Sequence, residues 1–506
     1  MSKKEESVKG NILTNSFWNF IALIISKIGA LVLTIVLARN LMPEGFGNYS
    51  IVFAMAMLFL TVGDLGLNYA LIRYVSFYLK KDKRKVGAYH NYLFKIKTRL
   101  MSLFSLLFAA SAYPLAKYAF QNEALTVPFL VAAAYIFVLA FDNFYAYLFY
   151  AMEKVHYFSI REAVNQILRV IFVLAIFYIF STERNIESIF ASFIVISLIL
   201  LFFSIMVLRR KMPELWVKSS VKINERKVLR FIGFLTIATV SGVFFSHVDA
   251  LMLGFMISSE MVGYYKAAFA LVFGLAGFLA FPNAVLFVAF NKMNKKQASI
   301  VLSKALRFIS LITIPSTFGI LLLSRFAIKI LYGETYLPSS LALSWLSFLL
   351  FPMVSTGVLL SLFSANEKTE TLAKLTIITI GINILLNLVL ITSFSRISPV
   401  WASAGAALAT VLSWIFYFLA SIFYLKGDVN INVGRIPIVK PLIAGASMFL
   451  ILYYIKSRIL DLNVVLGLSL ILLGILIYFV LLYIMKGLTK EDIVPLRILA
   501  KKLSRK

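Results

Sequence analysis

Two cations lie inside long apolar stretches of this sequence, Lys27 and Arg169. Each has an asparagine on the same helical face: Asn19 is about two turns before Lys27, and Asn165 one turn before Arg169. A lysine at the centre of a membrane-spanning helix costs roughly 2.5–3.5 kcal/mol on insertion scales, so such a residue usually faces water or a partner. We predict that these four residues bind an anionic substrate, because ammonium and guanidinium groups form strong charge-assisted hydrogen bonds with phosphates.

Three carboxylates also fall in apolar stretches: Asp64, Asp142 and Asp249. We predict that they act as counter-ions to the cations or carry a coupling ion. Asp64 and Asp142 lie near the ends of their stretches, where pairing with basic loop residues is an equal alternative. Arg169 is about one turn from the end of its stretch, so snorkelling to the interface is an alternative for it.

Motifs for catalysis, cofactor binding or metal binding are missing from the sequence. It contains no Cys and three His, and no G-x-x-x-x-G-K-[ST] phosphate-binding loop. The net charge of +28 sits mostly in alternate loops, as membrane topology requires, which argues against a nucleic-acid partner. We therefore predict a protein that is not an enzyme and has no catalytic residues, cofactor, metal or nucleic-acid partner.

The stretches that carry these residues are long enough to cross a membrane. Hydrophobic residues make up 61% of the 506 residues, and the mean hydropathy is +0.91. About 20 apolar residues are needed for one span. The sequence predicts an all-α, polytopic membrane protein with about fourteen transmembrane helices, approximately at 15–38, 49–72, 93–116, 127–150, 164–181, 188–208, 231–257, 264–290, 307–331, 341–364, 374–393, 402–424, 441–459 and 464–485. The Lys/Arg bias of the loops then places both termini in the cytoplasm of a multi-pass protein of the cell membrane.

Two segments of the sequence resemble each other, "PEGFGNYSIVFAM" (Pro43–Met55) and "SEMVGYYKAAFAL" (Ser259–Leu271). The identical pairs are Glu44/Glu260, Gly47/Gly263, Tyr49/Tyr265, Phe53/Phe269 and Ala54/Ala270. Convergence of helix–loop–helix turns on Gly and Tyr is the alternative explanation. Because both segments join the first two spans of a six-span block, we predict two parallel repeats that enclose a cavity.

The repeat predicts three regions of the chain. Residues 1–215 would form an N-terminal lobe of spans 1–6, and residues 216–425 a pseudo-symmetric second lobe of spans 7–12. Residues 426–506 would add a helix pair, spans 13–14, and a basic cytoplasmic tail.

Several segments resemble one family of transporters. They are "LARNLMPEGFGNYSIVFAMAMLFLTVGDLGLNYALIRYVS" (Leu37–Ser76), "SHVDALMLGFMISSEMVGYYKAAFAL", in which Asp249 takes the family's acidic position, and "ILYGETYLPSSLALSWLSF". They are similar to polysaccharide-export, Wzx-type flippases of the multidrug/oligosaccharidyl-lipid/polysaccharide exporter superfamily. The resemblance implies two six-helix lobes, alternating access, and basic cavity residues that meet the substrate's phosphate.

The implied substrate is a polyprenyl-(pyro)phosphate-linked oligosaccharide, which is turned from the cytoplasmic to the external leaflet. The implied partners are this glycan, membrane lipids and the glycosyltransferases of the same pathway. Two alternatives stay open: a cation-coupled multidrug exporter of the same superfamily, for which twelve spans and acidic cavity walls are expected, and a membrane glycan polymerase or ligase, which needs catalytic carboxylates in an external loop.

Overall fold

The fold is seen in a computed structural model that describes residues 3–179, 185–217, 223–279, 286, 290–291, 293–366, 368–426, 438–459 and 462–488. Side chains are described from Ile24 onward, except at residues 234, 235, 237–239, 241 and 369. The predicted site residue Asn19 therefore has its side chain outside the described part. The chain forms two compact units, Met1–Lys266 and Ala267–Lys506, and no strand occurs among the described residues.

The first unit is built from long helices. They are α1 (Lys3–Asp64), α2 (Leu67–Lys81), α3 (Arg84–Pro114), α4 (Thr126–Ala151), α5 (Val155–Tyr178), α6 (Ile186–Lys211), α7 (Glu225–Met256) and the start of α8 (Ser259–Leu279). A turn of 3-10 helix, Pro213–Trp216, follows α6.

Helix α1 joins the first two predicted spans through a kink. Met42 has φ 60° and ψ 171°, and Pro43 follows it. Proline suits the first position of a helix because its fixed φ is already helical and its missing N–H has no partner to lose there. The kink thus marks the start of a second helical segment, in the loop where the sequence predicted one.

The second predicted span, 49–72, does not continue as one helix. Leu65 and Gly66 both have positive φ, 48° and 76°, and Gly66 adopts this conformation without a Cβ clash. The chain changes direction here and begins α2, whose inner face is buried through Leu71 and Val75.

Helices α1 and α8 touch at two glycines of the predicted repeat. A Cβ placed on Gly47 would lie 1.7 Å from the carbonyl oxygen of Ser259, and one on Gly263 would lie 2.0 Å from that of Pro43. Backbone meets backbone here because neither glycine has a side chain, as at the closest helix crossings in membranes. Any larger residue at either position would push the two helices apart.

In the described part of the chain, the second unit contains the end of α8 and further helices of eight residues or more. They are α9 (Lys295–Tyr332), α10 (Ser339–Leu346), α11 (Leu350–Ala365), α12 (Thr369–Ser395), α13 (Pro399–Leu425), α14 (Val439–Ser457) and α15 (Val464–Ile484). Glycines also fix the last two helices against α9: a Cβ on Gly445 would lie 2.7 Å from the Phe318 ring, and one on Gly467 would lie 2.1 Å from the Phe326 ring.

The all-helical, multi-pass membrane fold predicted from the sequence is confirmed, but the count of fourteen spans is not. Among the described residues, eleven helices are long and apolar enough to cross a membrane. The kinked α1 counts as a single helix from Ile24 to Asp64. The predicted lobes 1–215 and 216–425, and the region 426–506, stay a prediction.

Candidate functional site

A cavity of about 470 Å³, with several polar residues in a mainly apolar wall, lies within the first unit. Helices α1, α2, α3, α4 and α7 each contribute to its wall. Its lining residues are Leu60, Thr61, Asp64, Asn68, Tyr69, Lys97, Asn143, Tyr147, Gly242 and Val243. The predicted site residue Asp64 is thus part of a cavity wall that also carries amide and phenol groups. The cavity is large enough for a sugar or a phosphate group, and it offers hydrogen-bond partners to both.

Lys97 supplies the positive charge of this cavity. Its side chain is completely buried, where it forms an ion pair with Asp64 and donates a hydrogen bond of 3.3 Å to Oδ1 of Asn68. Removing one partner of such a pair leaves the other charge buried and unpaired, at a cost of about 3–5 kcal/mol. The pair therefore fixes α3 to the break between α1 and α2.

Lys97 is not among the predicted site residues. It lies near the start of the predicted span 93–116, between Lys95 and Arg99, where basic residues are common. The helical face would have revealed it, because Leu93 and Met101, one turn to either side, are both fully buried. A lysine in line with two apolar residues at four-residue spacing is a candidate for burial.

Asp142 pairs with a residue that the sequence analysis also missed, Arg161. Both side chains are 1% exposed and form an ion pair between α4 and α5. Arg161 contacts the neighbouring carboxylate of Glu162 as well. Arg161 lies between the predicted spans 127–150 and 164–181. The pair is therefore of the kind described by the alternative, in which Asp142 pairs with a basic loop residue.

Arg169 points into the helix bundle and does not extend along α5 to its end. Its Nη2 donates a hydrogen bond of 2.7 Å to the phenol oxygen of Tyr135 on α4, and its guanidinium lies 4.7 Å from the ring centre of Phe193 on α6. Its buried Nε–H has no hydrogen-bond partner among the described residues. Arg169 therefore has an unused Nε–H donor, while its guanidinium contacts Tyr135 and Phe193.

Lys27 and Asn165 lie on helices that pack closely together. The contact between α1 and α5 is so tight that a Cβ on Gly29 would lie 2.3 Å from Cγ of Gln166. Lys27 and Asn165 are both half-buried, and each is within two residues of this contact. The structure thus brings the helix of Lys27 against the helix of Asn165 and Arg169.

Asp249 is separate from the cavity lining and is 3% exposed. Tyr265 donates a hydrogen bond of 2.8 Å to its Oδ2, and Lys266 is close enough for electrostatic attraction. The carboxylate therefore links α7 to the start of α8. Among the described residues, no group of three or more His, Cys, Asp or Glu could hold a metal ion.

Comparison with known proteins places the chain in a family. The sequence profile described as polysaccharide biosynthesis protein matches residues 12–294, more than half of the chain. The chain belongs to this family. The chain is similar to the probable low-salt glycan biosynthesis flippase Agl15 of Haloferax volcanii. The two are 27% identical over 217 residues. That match covers 41% of this chain and 44% of the relative, which is less than half the length of either. An uncharacterized membrane protein of Methanocaldococcus jannaschii is 20% identical over 84% of this chain and 85% of its own length.

Solved structures show the fold of this family member. The lipid II flippase MurJ, in an inward closed conformation, matches with a TM-score of 0.74 at 18% identity, over 92% of this chain and 98% of that chain. An inward-facing multidrug resistance MATE transporter of the MOP superfamily matches with a TM-score of 0.64 at 13% identity, over 79% of this chain and 95% of that chain. The predicted resemblance to a polysaccharide-export family is confirmed by the family match, and the solved structures show the fold alone.

Proposed function

We propose that this protein is a flippase for a polyprenyl-(pyro)phosphate-linked oligosaccharide. It would carry the glycan from the cytoplasmic to the external leaflet by alternating access, without chemical change. Membership of the polysaccharide biosynthesis family and the likeness to a glycan flippase support this substrate class. The single observation that carries the proposal is the buried Lys97 in the wall of a cavity that amide and phenol groups also line.

A phosphate group on the substrate would explain why a lysine is buried in the cavity wall. In the free protein Lys97 is neutralised by Asp64, so an arriving phosphate replaces one anionic partner with another. Lys27 and Arg169 would supply further cationic groups from α1 and α5, and the available Nε–H of Arg169 suits an anionic oxygen. A phosphate held in this way loses hydration but keeps its charge compensated.

The rest of the cavity suits a sugar. Asn68 and Asn143 offer amide donors and acceptors, and Tyr69 and Tyr147 offer phenol groups and ring faces. Sugars combine hydroxyl groups with apolar C–H faces, and this mixed wall matches both. Such contacts are adaptable, which fits a carrier that must release its cargo.

Alternating access requires the external side to close when the cytoplasmic side is open. The contact of Gly47 with Ser259 and of Gly263 with Pro43 joins the two loops that the topology places outside. Separation of this contact would open the external side. The membrane potential could drive the cycle, because an anion leaving a negative interior gains about 2.3 kcal/mol per charge per 100 mV. Ion coupling through Asp249 or Asp64 is the other source of drive.

A multidrug exporter is the second candidate, because MATE transporters share the fold. Two observations favour the flippase. A buried lysine in the cavity wall disfavours the cationic drugs that such exporters carry, and the MurJ structure matches 92% of this chain where the MATE transporter matches 79%. No match among the named relatives supports the polymerase or ligase. The lipid-linked oligosaccharide would be supplied by glycosyltransferases of the same pathway.

A flipping assay tests the proposal. Purified protein is placed in vesicles with a fluorescent undecaprenyl-pyrophosphate-linked oligosaccharide, and dithionite quenches the probe in the outer leaflet. Wild-type protein should make nearly all of the probe accessible, Lys97→Gln should leave about half protected, and the exposed neighbour variant Lys95→Gln should behave as wild type. Wild-type vesicles in which half of the probe stays protected would contradict the proposal, and export of a cationic dye by the same protein would favour the second candidate.

A further inference from the structure

We propose a second binding site in this protein, a surface pocket on α2 that docks the phosphate group of a membrane lipid before it enters the cavity at Lys97. The pocket has a volume of about 650 Å³ and lies within the first unit. Its lining residues are Ile72, Arg73, Ser76, Phe77, Lys80 and Lys81. That the docked lipid is the transported one depends on the proposed function.

The charge of the pocket fits a phosphate. Three of its six lining residues are cations and none is an acid. The guanidinium of Arg73 is held 4.1 Å from the ring centre of Phe231, while Nζ of Lys81 lies 5.4 Å from that of Phe77. Lys80 forms an ion pair with Glu153 at the surface, an exposed pair of the kind that contributes little to stability and yields readily to a stronger anion.

An exposed aromatic ring beside cations suits the depth of lipid headgroups. Phe77, which lines the pocket, is 52% exposed. Large apolar side chains beside lysines are typical of helices that lie in the membrane interface, where rings meet acyl chains and cations meet phosphates. The opposite face of α2 is buried through Leu71 and Val75, which holds the pocket in place.

One face of α2 connects the pocket to the cavity. Tyr69, Arg73 and Phe77 follow one another at four-residue spacing, so they lie on the same side of the helix. Tyr69 lines the cavity, and Arg73 lines the pocket. The eleven steps along the helix from Tyr69 to Lys80 span about 16.5 Å at 1.5 Å per residue. A phosphate can therefore pass from Lys80 and Lys81 to Arg73, and from there to Asn68 and Lys97.

Membrane topology alone does not explain this arrangement. Lysines at the end of a cytoplasmic helix satisfy the positive-inside rule wherever they point, as Arg210 and Lys211 do at the exposed end of α6. The cations of α2 differ because they surround one pocket and share a face with the cavity wall.

Binding of a polyprenyl phosphate tests the site. Full-length protein in phosphatidylcholine nanodiscs is titrated with undecaprenyl phosphate, and bound lipid is counted by native mass spectrometry. The double variant Arg73→Gln/Lys81→Gln should bind at least tenfold more weakly than wild type. A second variant, Lys80→Gln/Lys81→Gln, changes only exposed lysines and guards against misfolding. The control Arg210→Gln/Lys211→Gln removes the same charge elsewhere and should bind as wild type.

The outcomes separate the site from its alternatives. Equal binding by the pocket variants and wild type, or an equal loss in the control, would overturn the site. Titration with phosphatidylglycerol distinguishes the source of the phosphate: a defect confined to undecaprenyl phosphate supports a docking site for cargo, and an identical defect with both lipids overturns that role. Lys97→Gln should still dock undecaprenyl phosphate. Wild-type protein that docks this lipid but flips no glycan would refute the proposed function and leave the docking site standing.

Discussion

Gly47 and Gly263 make a reciprocal contact. Each glycine faces the carbonyl oxygen of the residue four positions before the other: Gly47 faces Ser259, and Gly263 faces Pro43, with distances of 1.7 Å and 2.0 Å from an added Cβ. Pro43 and Ser259 hold the same position in the two copies of the sequence repeat. A local two-fold axis produces reciprocal contacts of this kind between equivalent residues. The predicted internal repeat would produce such a contact, and the repeat stays a prediction.

Alanine at either glycine should destabilise the protein. The added methyl group meets backbone atoms, which cannot rotate away, and overpacking of this kind typically costs about 1–3 kcal/mol. Gly47→Ala and Gly263→Ala should therefore lower the thermal unfolding temperature of the purified protein in detergent. Gly381→Ala is the control, because a Cβ at Gly381 meets nothing within 4 Å and alanine favours a helix. Unchanged unfolding temperatures for both contact variants would argue against the tight crossing.

The ion pair of Asp64 and Lys97 should behave as a unit. Lys97→Met or Asp64→Leu alone leaves a buried charge uncompensated, so each should reduce the free energy of unfolding by about 3–5 kcal/mol. The double variant removes both charges and should recover most of that loss. Flipping should not recover, because the phosphate would lack its cation. Thermal unfolding and the vesicle assay, measured on the same samples, separate the two effects; a double variant with full flipping activity would exclude Lys97 as a phosphate ligand.

Lys27 should be needed for transport but not for insertion. Lys27→Ala should abolish glycan export in a complementation assay, with normal amounts of protein in the membrane fraction. Lys27→Glu should be worse than Ala, because a carboxylate repels the phosphate. The exposed Lys95 on α3 gives a matched control as Lys95→Ala. Full export by the Lys27→Ala protein would exclude an anion-binding role for this residue.

The turn Pro213–Trp216 should loosen in acid. The hydrogen bond of 2.7 Å from Lys83 holds the pKa of Glu214 below its usual 4.5. Because the folded-state pKa is the lower one, this contribution is fully present above about pH 4.5 and is lost as the pH falls through the folded value. Hydrogen-exchange protection factors of residues 214–217 should therefore fall between pH 6 and pH 3.5. In Glu214→Gln the protection should be low at both pH values; a pH response equal to that of wild type would assign the change to another group.

The hydrophobic stretches were sufficient to predict an all-helical membrane protein, because span length and apolar content are dictated by the bilayer. They did not predict where helices break. Met42 and Leu65 both adopt positive φ, which neither residue favours by itself, and only packing against other helices stabilises it. The Gly66 beside Leu65 was the one local signal of the second break.

The sequence predicted the carboxylate of each buried ion pair but not its basic partner. Asp64 and Asp142 are conspicuous because carboxylates are rare in apolar stretches, but their partners Lys97 and Arg161 lie beside the predicted starts of spans 93–116 and 164–181, where basic residues are common. The pairs join residues that are far apart in the chain and on different helices. Spacing along one helix cannot identify such a partner, whereas the buried face that Lys97 shares with its apolar neighbours could have done so.

The complete burial of Lys97 has a practical consequence. An amine-acylating reagent added in water modifies surface lysines at once, but it can reach this nitrogen only while the surrounding helices are parted. The extent of acylation at this one residue, read by peptide mass spectrometry, would then record how often the cavity opens, and each added lipid could be ranked by how far it speeds or slows that exposure.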